Sequence, residues 1–227
     1  METSGTAVGS TRSKVSKRRR HQRDVFHSQI VAGAFFAGPM DMPQMSPVDA
    51  TPKGLVPFSV AMQSSCKDFD LFVDFYEDDY EFERFWNSPH RYLNRLLRFA
   101  GAISPDFSTC WDFPVAMKAW NTYRNQALGY FLQSCGQTCI PNVRCEPDKP
   151  WMFDGIPHQS TIAIGARSCI KRVEDRSRFV GAVRFAVDIL EPTSIIWYGS
   201  TGYGVTEYPR SLGIPILVYP ARIFRQR

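Results

Sequence analysis

From Gly54 to the C-terminus, short runs of apolar residues alternate with longer segments in which apolar side chains recur every three or four positions. A short apolar run bounded by Gly, Pro, Asn or Ser fits a strand buried on both faces, and a three-to-four spacing fits a helix with one inward stripe. The pattern places strands over residues 56–60, 71–76, 102–107, 138–143, 161–165, 194–199 and 215–219. Phe82, Phe85, Trp86, Leu93, Leu96 and Leu97 mark a helical stretch that Ser88-Pro89 divides in two, since serine caps a helix and proline suits its first turn. A longer helix opens after Asp112 with Pro114 in its first turn and stops at Cys135, where Gly136 supplies a left-handed residue. Its buried stripe is read as Ala116, Trp120, Tyr123, Ala127 and Tyr130. A third helix covers 175–190, with Phe179, Val183, Ala186, Val187 and Leu190 inward and Pro192 ending it. Residues 204–212 make a poor helix, because Pro209 interrupts them.

Strands and helices in strict alternation build an α/β fold, here a single domain with a central, mainly parallel sheet flanked by helices. Seven consecutive strands also approach the eight of a closed barrel, so a small or incomplete β/α barrel is the alternative. In either form, right-handed crossovers bring the C-terminal ends of the strands to one edge, where such folds bind ligands. The residues just past each strand are therefore the first candidates for function.

Before Gly54 the pattern is lost. Residues 1–29 are rich in Ser, Thr, Gly, Lys and Arg and carry too little apolar surface to offset the entropy of ordering, so a disordered basic N-terminal tail is expected. Residues 30–53, including Gly38-Pro39-Met40-Asp41-Met42-Pro43, have no helical or strand period and read as an irregular arm on the surface of the 54–227 domain. The formal charge of +5 belongs to the tail: Arg12, Lys14, Lys17, Arg18, Arg19, Arg20 and Arg23 stand there against Glu2, while the rest sums to −1. Those seven cations make nucleic acid the candidate partner of the tail, through salt-sensitive phosphate contacts. No run approaches the roughly 18 apolar residues of a membrane span, and nothing near the start has the form of a secretory signal. No membrane partner is expected, and the compartment is read as cytoplasmic. The six cysteines imply no disulfide framework, and Cys135, Cys139, Cys145, His158 and Cys169 lack a tight zinc-type pair, so no metal is assigned and no cofactor is named.

Five ordered motifs carry a resemblance to a known family. They are Ser104-Pro105-Asp106-Phe107-Ser108, Trp120-Asn121-Thr122-Tyr123-Arg124-Asn125, Ile140-Pro141-Asn142-Val143, Phe153-Asp154-Gly155-Ile156-Pro157 and Trp197-Tyr198-Gly199. Together they resemble the phage- and mobile-element-borne proteins catalogued as domain of unknown function 4417. The resemblance implies an association with phages and plasmids and no defined activity. Where the family pattern has a small-His-Gly turn after the strand at Thr161, this chain has Ala166-Arg167-Ser168, so no histidine base is carried over.

Among individual residues, Asp106 at a strand end is a candidate acid–base or cation-holding group, against a turn-capping role. Asp154, before Gly155, is the candidate second carboxylate, against a plain Asp-Gly turn. Asn121 and Arg124 share a helix flank and are candidate anion holders, against an Arg paired with an acid such as Asp106 or Asp154. Asn142 and Gly199, each ending a strand, complete the candidate ligand-binding set. Three functions follow from these: an enzyme acting on a nucleotide, nucleic acid or other phosphate-bearing substrate; a non-catalytic nucleic-acid-binding accessory protein using the tail; and a structural or protein-interaction component.

Overall fold

The computed structural model describes residues 11–12, 24–144, 146–167, 170 and 172–221. Of the tail cations, Lys14, Lys17, Arg18, Arg19, Arg20 and Arg23 lie outside the described residues. β1 (Thr11–Arg12) pairs antiparallel with β2 (Phe35–Ala37), which turns back into β3 (Met42–Pro43). Asp24 starts a turn by accepting the amides of Phe26 (3.0 Å) and Ser28 (2.7 Å), and the single 3-10 turn Ser28–Val31 then buries Ile30 and Val31. The arm is thus a hairpin with a packed foot, and Met42 and Met45 are buried against the body of the domain.

Seven parallel strands follow: β4 (Leu55–Pro57), β5 (Phe72–Asp74), β6 (Gly101–Ile103), β7 (Cys139–Ile140), β8 (Thr161–Gly165), β9 (Ser194–Tyr198) and β10 (Ile216–Tyr219). Each falls within or against an apolar run of the sequence, and they neighbour one another in chain order. The β7–β8 junction is the narrowest. Pro141 has no N–H to donate, so β7 ends at Ile140, and β8 is reached through one bridge, with Ala163 N on Pro141 O and Val143 N on Ala163 O, both at 2.8 Å.

The sheet curls into an incomplete barrel. Strands four places apart in a flat sheet would be about 19 Å apart, yet Tyr76, just past β5, stacks on Tyr198 of β9 with ring centres 4.5 Å apart. Phe72, Ile103, Ile140, Ala163, Ile196 and Tyr198 share the interior with Tyr76. Across the open seam, Tyr219 Oη of β10 donates to Pro52 O at 2.5 Å, just before β4, and Val48 and Ala50 of the arm pack into the interior. Far from lying on the surface, this part of the arm packs against the N-terminal end of β8, where Val48 donates to Ser160 Oγ and accepts from Thr161 N, both at 2.9 Å.

Outside the barrel run α1 (Phe58–Ala61), α2 (Asp79–Asn87), α3 (Pro89–Leu96), α4 (Val115–Ser134), α5 (Val173–Leu190) and α6 (Glu207–Ser211). Ser88-Pro89 does split α2 from α3. The helices cover two outer cores, one centred on Phe58, Phe75, Phe82, Phe85 and Leu128, the other on Ile162, Phe179, Val183, Val187 and Trp197. Pro209 lies within α6 without breaking it, because it occupies the first turn, where an N–H would have no partner inside the helix.

The stripe expected for α4 is corrected in its N-terminal half, while Ala127 is buried in the core and Tyr130 packs against it. Ala116 and Trp120 are exposed and Tyr123 is half-buried, whereas Lys118, Asn121, Thr122, Asn125, Gln126 and Leu128 face inward. The N-terminal half of α4 covers polar loops at the barrel mouth, so polar residues are what it must bury. Its end matches expectation: Gly136 (φ 89°) is left-handed, Gly136 N bonds Gln133 O and Gln137 N bonds Leu132 O, both at 2.9 Å. A Cβ at Gly136 would meet nothing within 4 Å. Gly136→Ala is therefore expected to lower the unfolding free energy by about 1–2 kcal/mol through the left-handed backbone alone. Urea denaturation measures this, and an unchanged midpoint would remove this helix stop from the determinants of stability.

Candidate functional site

The C-terminal ends of β5 to β8 deliver a continuous polar floor. Asp74 closes β5 and accepts Tyr76 N at 3.1 Å, fixing the turn that sends the Tyr76 ring across the barrel. Tyr76 Oη donates to Asn142 Oδ1 (2.9 Å), and Asn142 Nδ2 donates to Asp106 Oδ1 (2.7 Å). Arg144 grips the same carboxylate in a two-pronged contact, Nε to Oδ1 at 2.6 Å and Nη2 to Oδ2 at 2.5 Å. Arg167, after β8, donates from Nη1 to Tyr76 O at 2.8 Å. Burial raises the Tyr76 phenol well above its ordinary value, with the charge of Asp106 adding to the effect, so the ring keeps its proton and acts as a donor.

Above this floor lies a cleft of about 310 Å³. Tyr76, Asp106, Ser108, Arg144 and Arg167 make its polar side, and Val143, Ile164, Phe179, Ala182, Val183 and Ala186 its apolar side. Glu77, Asp78 and Asp175 also line it. Glu77 is occupied by Ser59, whose amide it accepts at 2.8 Å, and burial raises its carboxyl above the usual range.

The loop between β6 and α4 overhangs the cleft and is pinned from below by the polar face of α4. Asn125 brackets Phe107, accepting its N–H at 2.8 Å and donating to its C=O at 3.2 Å. Asn121 Nδ2 donates to Ser108 O at 2.5 Å. Asp79, at the start of α2, accepts both the amide and the hydroxyl of Ser108, and burial raises its carboxyl too. Lys118, only 3% exposed, donates to Trp111 O at 2.8 Å and pairs with the buried Glu146.

The expected site residues therefore separate. Asp106 and Asn142 meet at the floor. Asn121 and Arg124 do not join them: Asn121 holds the loop, and Arg124 makes two contacts to Glu83 (2.8 and 3.0 Å) while its guanidinium covers the Phe107 ring at 3.7 Å. Neither Asp106 nor Asp154 is the partner of Arg124, and neither Asn121 nor Arg124 lines the cleft. Asp154 lies against the hairpin turn at Gly38, and it too is absent from the cleft lining; burial raises its carboxyl. The second carboxylate at a neighbouring strand end is instead Asp74. Gly199 (φ 109°) reaches the same edge beyond the cleft, with its amide on Tyr219 O at 2.8 Å. Asp74, Tyr76, Arg144 and Arg167 were missed. The available signal was a carboxylate or cation interrupting an apolar run at its C-terminal end, as Asp74 does between Val73 and Phe75.

Removing one member of the Lys118–Glu146 pair leaves the other charge buried, a change that costs about 3–5 kcal/mol in comparable pairs. Lys149 also reaches Glu146 (2.7 Å) and softens the loss. Lys118→Met is accordingly expected to destabilise by about 3 kcal/mol, with Lys118→Met/Glu146→Leu recovering part of it. Chemical denaturation of the three proteins checks this, and equal stability of wild type and Lys118→Met would show that the pair does not hold the loop.

The five sequence motifs can now be placed. One supplies Asp106, one pins its loop, one supplies Asn142 and the β7–β8 bridge, one packs under the hairpin, and one supplies Tyr198 and Gly199. The family model described as Domain of unknown function (DUF4417) matches residues 35–211. The Gene 1 protein of Mycobacterium phage L5 is 32% identical over 180 residues, 74% of this chain and 78% of that protein. The Gene 1 protein of Mycobacterium phage D29 is 35% identical over 146 residues, 60% of this chain, and the match spans about half (54%) of the D29 protein. No solved structure matches the chain. With its matched region running from the hairpin to α6 and enclosing the whole mouth, the chain belongs to the DUF4417 family, a family with phage-borne members.

Proposed function

We propose that this protein is an enzyme acting on a small phosphate-bearing substrate of the nucleotide class, bound in the cleft at the barrel mouth. The observation that carries the reading is Asp106. It is a buried carboxylate whose position is fixed from two sides by Arg144 and Asn142, at the floor of a cleft on the C-terminal edge of a parallel barrel, where this architecture places its chemistry. A carboxylate so oriented suits proton transfer with a hydroxyl or water of the substrate. With Arg144 paired to Asp106, the positive charge for an anionic group comes from Arg167. The apolar side, from Val143 to Ala186, offers a wall to a flat, weakly polar body such as a base.

A panel of nucleoside phosphates and their unphosphorylated nucleosides, screened by thermal shift and then by calorimetry and turnover, tests the reading. At about 100 times its Kd, a true ligand is expected to raise the Tm by roughly 5–10 °C. Arg167→Gln should abolish the preference for the phosphorylated compound. Asp106→Asn, which keeps an acceptor for Arg144, should retain binding and lose turnover. Equal affinity for nucleoside and nucleotide, or an unaffected Arg167→Gln, would overturn the assignment.

A further inference from the structure

The lining of the cleft has more acid than base. Four carboxylates face it, Glu77, Asp78, Asp106 and Asp175, against two guanidiniums, Arg144 and Arg167. Arg144 is turned onto Asp106, so that these two charges offset each other. Glu77 is held by Ser59, whose amide and hydroxyl reach its two oxygens. Asp78 and Asp175 differ from both. Asp78 precedes α2 without forming a side-chain cap, Asp175 stands in the first turn of α5, and among the described residues neither side chain has a hydrogen bond or an ion pair. Two uncompensated negative charges therefore stand at the same cleft as Arg167, the cation for the substrate's anionic group.

That balance limits how much negative charge a ligand can bring. One phosphate is met by one guanidinium. A second and a third would enter a cleft of about 310 Å³ that already holds the carboxylates. Like charges about 6 Å apart in a partly wet site repel strongly enough to change an affinity roughly 10-fold. A divalent ion would reverse that sign by bridging carboxylates and phosphates, but among the described residues no three carboxylate, histidine or cysteine side chains group closely enough to hold one. An ionised carboxylate only accepts hydrogen bonds, so what suits Asp78 and Asp175 is a donor, a sugar hydroxyl or a base amine.

We propose that the cleft selects for a single phosphate: its ligand is a nucleoside monophosphate, with the phosphate on Arg167 and the donors of the nucleoside toward Asp78 and Asp175, and di- and triphosphates are rejected by charge. The inference rests on the nucleotide reading of the same cleft and adds to it the amount of charge the cleft admits.

Calorimetry on the full chain tests this, with adenosine, guanosine, cytidine and uridine and their mono-, di- and triphosphates as titrants, in EDTA and again in excess magnesium. In the series that binds, the monophosphate is expected to bind tightest, and each added phosphate to weaken binding by roughly 10-fold. Asp78→Asn/Asp175→Asn should narrow the gap between mono- and triphosphate by roughly 10-fold or more, and Asp175→Asn alone by less. Added salt should narrow it as well, because repulsion is screened beyond about 8–10 Å, whereas rejection by size would hold at any salt. A triphosphate bound as tightly as the monophosphate in either buffer, a gap unchanged in the double variant, or a gap that salt does not move would each overturn the inference. If the double variant does not fold, Asp175→Asn and the salt titration of the wild type decide. The two readings fail differently: a nucleoside bound as tightly as its monophosphate sinks both, while phosphates that bind equally well, and all more tightly than the nucleoside, sink this one alone.

Discussion

Tyr76 is the side chain on which the rest of the molecule converges. It leaves β5, crosses the barrel and stacks on Tyr198 of β9, while its hydroxyl reaches Asn142 beyond β7 and its carbonyl takes Arg167 beyond β8. Four strands are thereby referred to one ring. Gly165 has to be glycine for this, since a Cβ there would stand 2.5 Å from the Tyr76 ring. The contact also explains how a sheet with a single bridge between β7 and β8 stays one body: the two halves are cross-linked through the interior where their backbone ladder is thinnest.

The same arrangement makes fold and site inseparable. Asn142 bridges backbone to Ala163, donates its main-chain N–H to Ser104 Oγ at 2.8 Å, and passes a hydrogen bond from Tyr76 to Asp106. Pro141 ends the strand and frees Asn142 for that work. The Trp120–Asn125 motif serves at one remove, because its polar side chains hold the loop that carries Asp106 and Ser108 into position.

What the sequence made legible follows from where a single physical cause dominates. β5 to β9 were visible because they are buried on both faces, so that apolar composition alone marks them, and the half-exposed β10 because its run Ile216-Leu217-Val218-Tyr219 is apolar throughout. The stop of α4 was visible because few residues other than glycine accept its backbone angle. The inward face of α4 was not, since burial there is against polar loops and the hydrophobic pattern points the wrong way. Asp106 and Asn142 could be found from their places just past strands, whereas the partner of Arg124 is Glu83, 41 residues away on another helix, a distance no local spacing encodes. Asp154 misled because an Asp-Gly turn looks the same at either end of a barrel, and the β7–β8 crossover brings this one under the hairpin.

The seam between β10 and β4 sets a hierarchy of opening. Elsewhere in the barrel neighbouring strands share main-chain bonds, but here a phenol on a carbonyl links the two edges. Side-chain closure of this kind yields to local fluctuation before a buried ladder does. Solvent should therefore enter the barrel from the flank rather than the mouth, with the amides of β4 and β10 exchanging their hydrogens early and those of β8 and β9 late. Such a molecule breathes along its side while its mouth stays set.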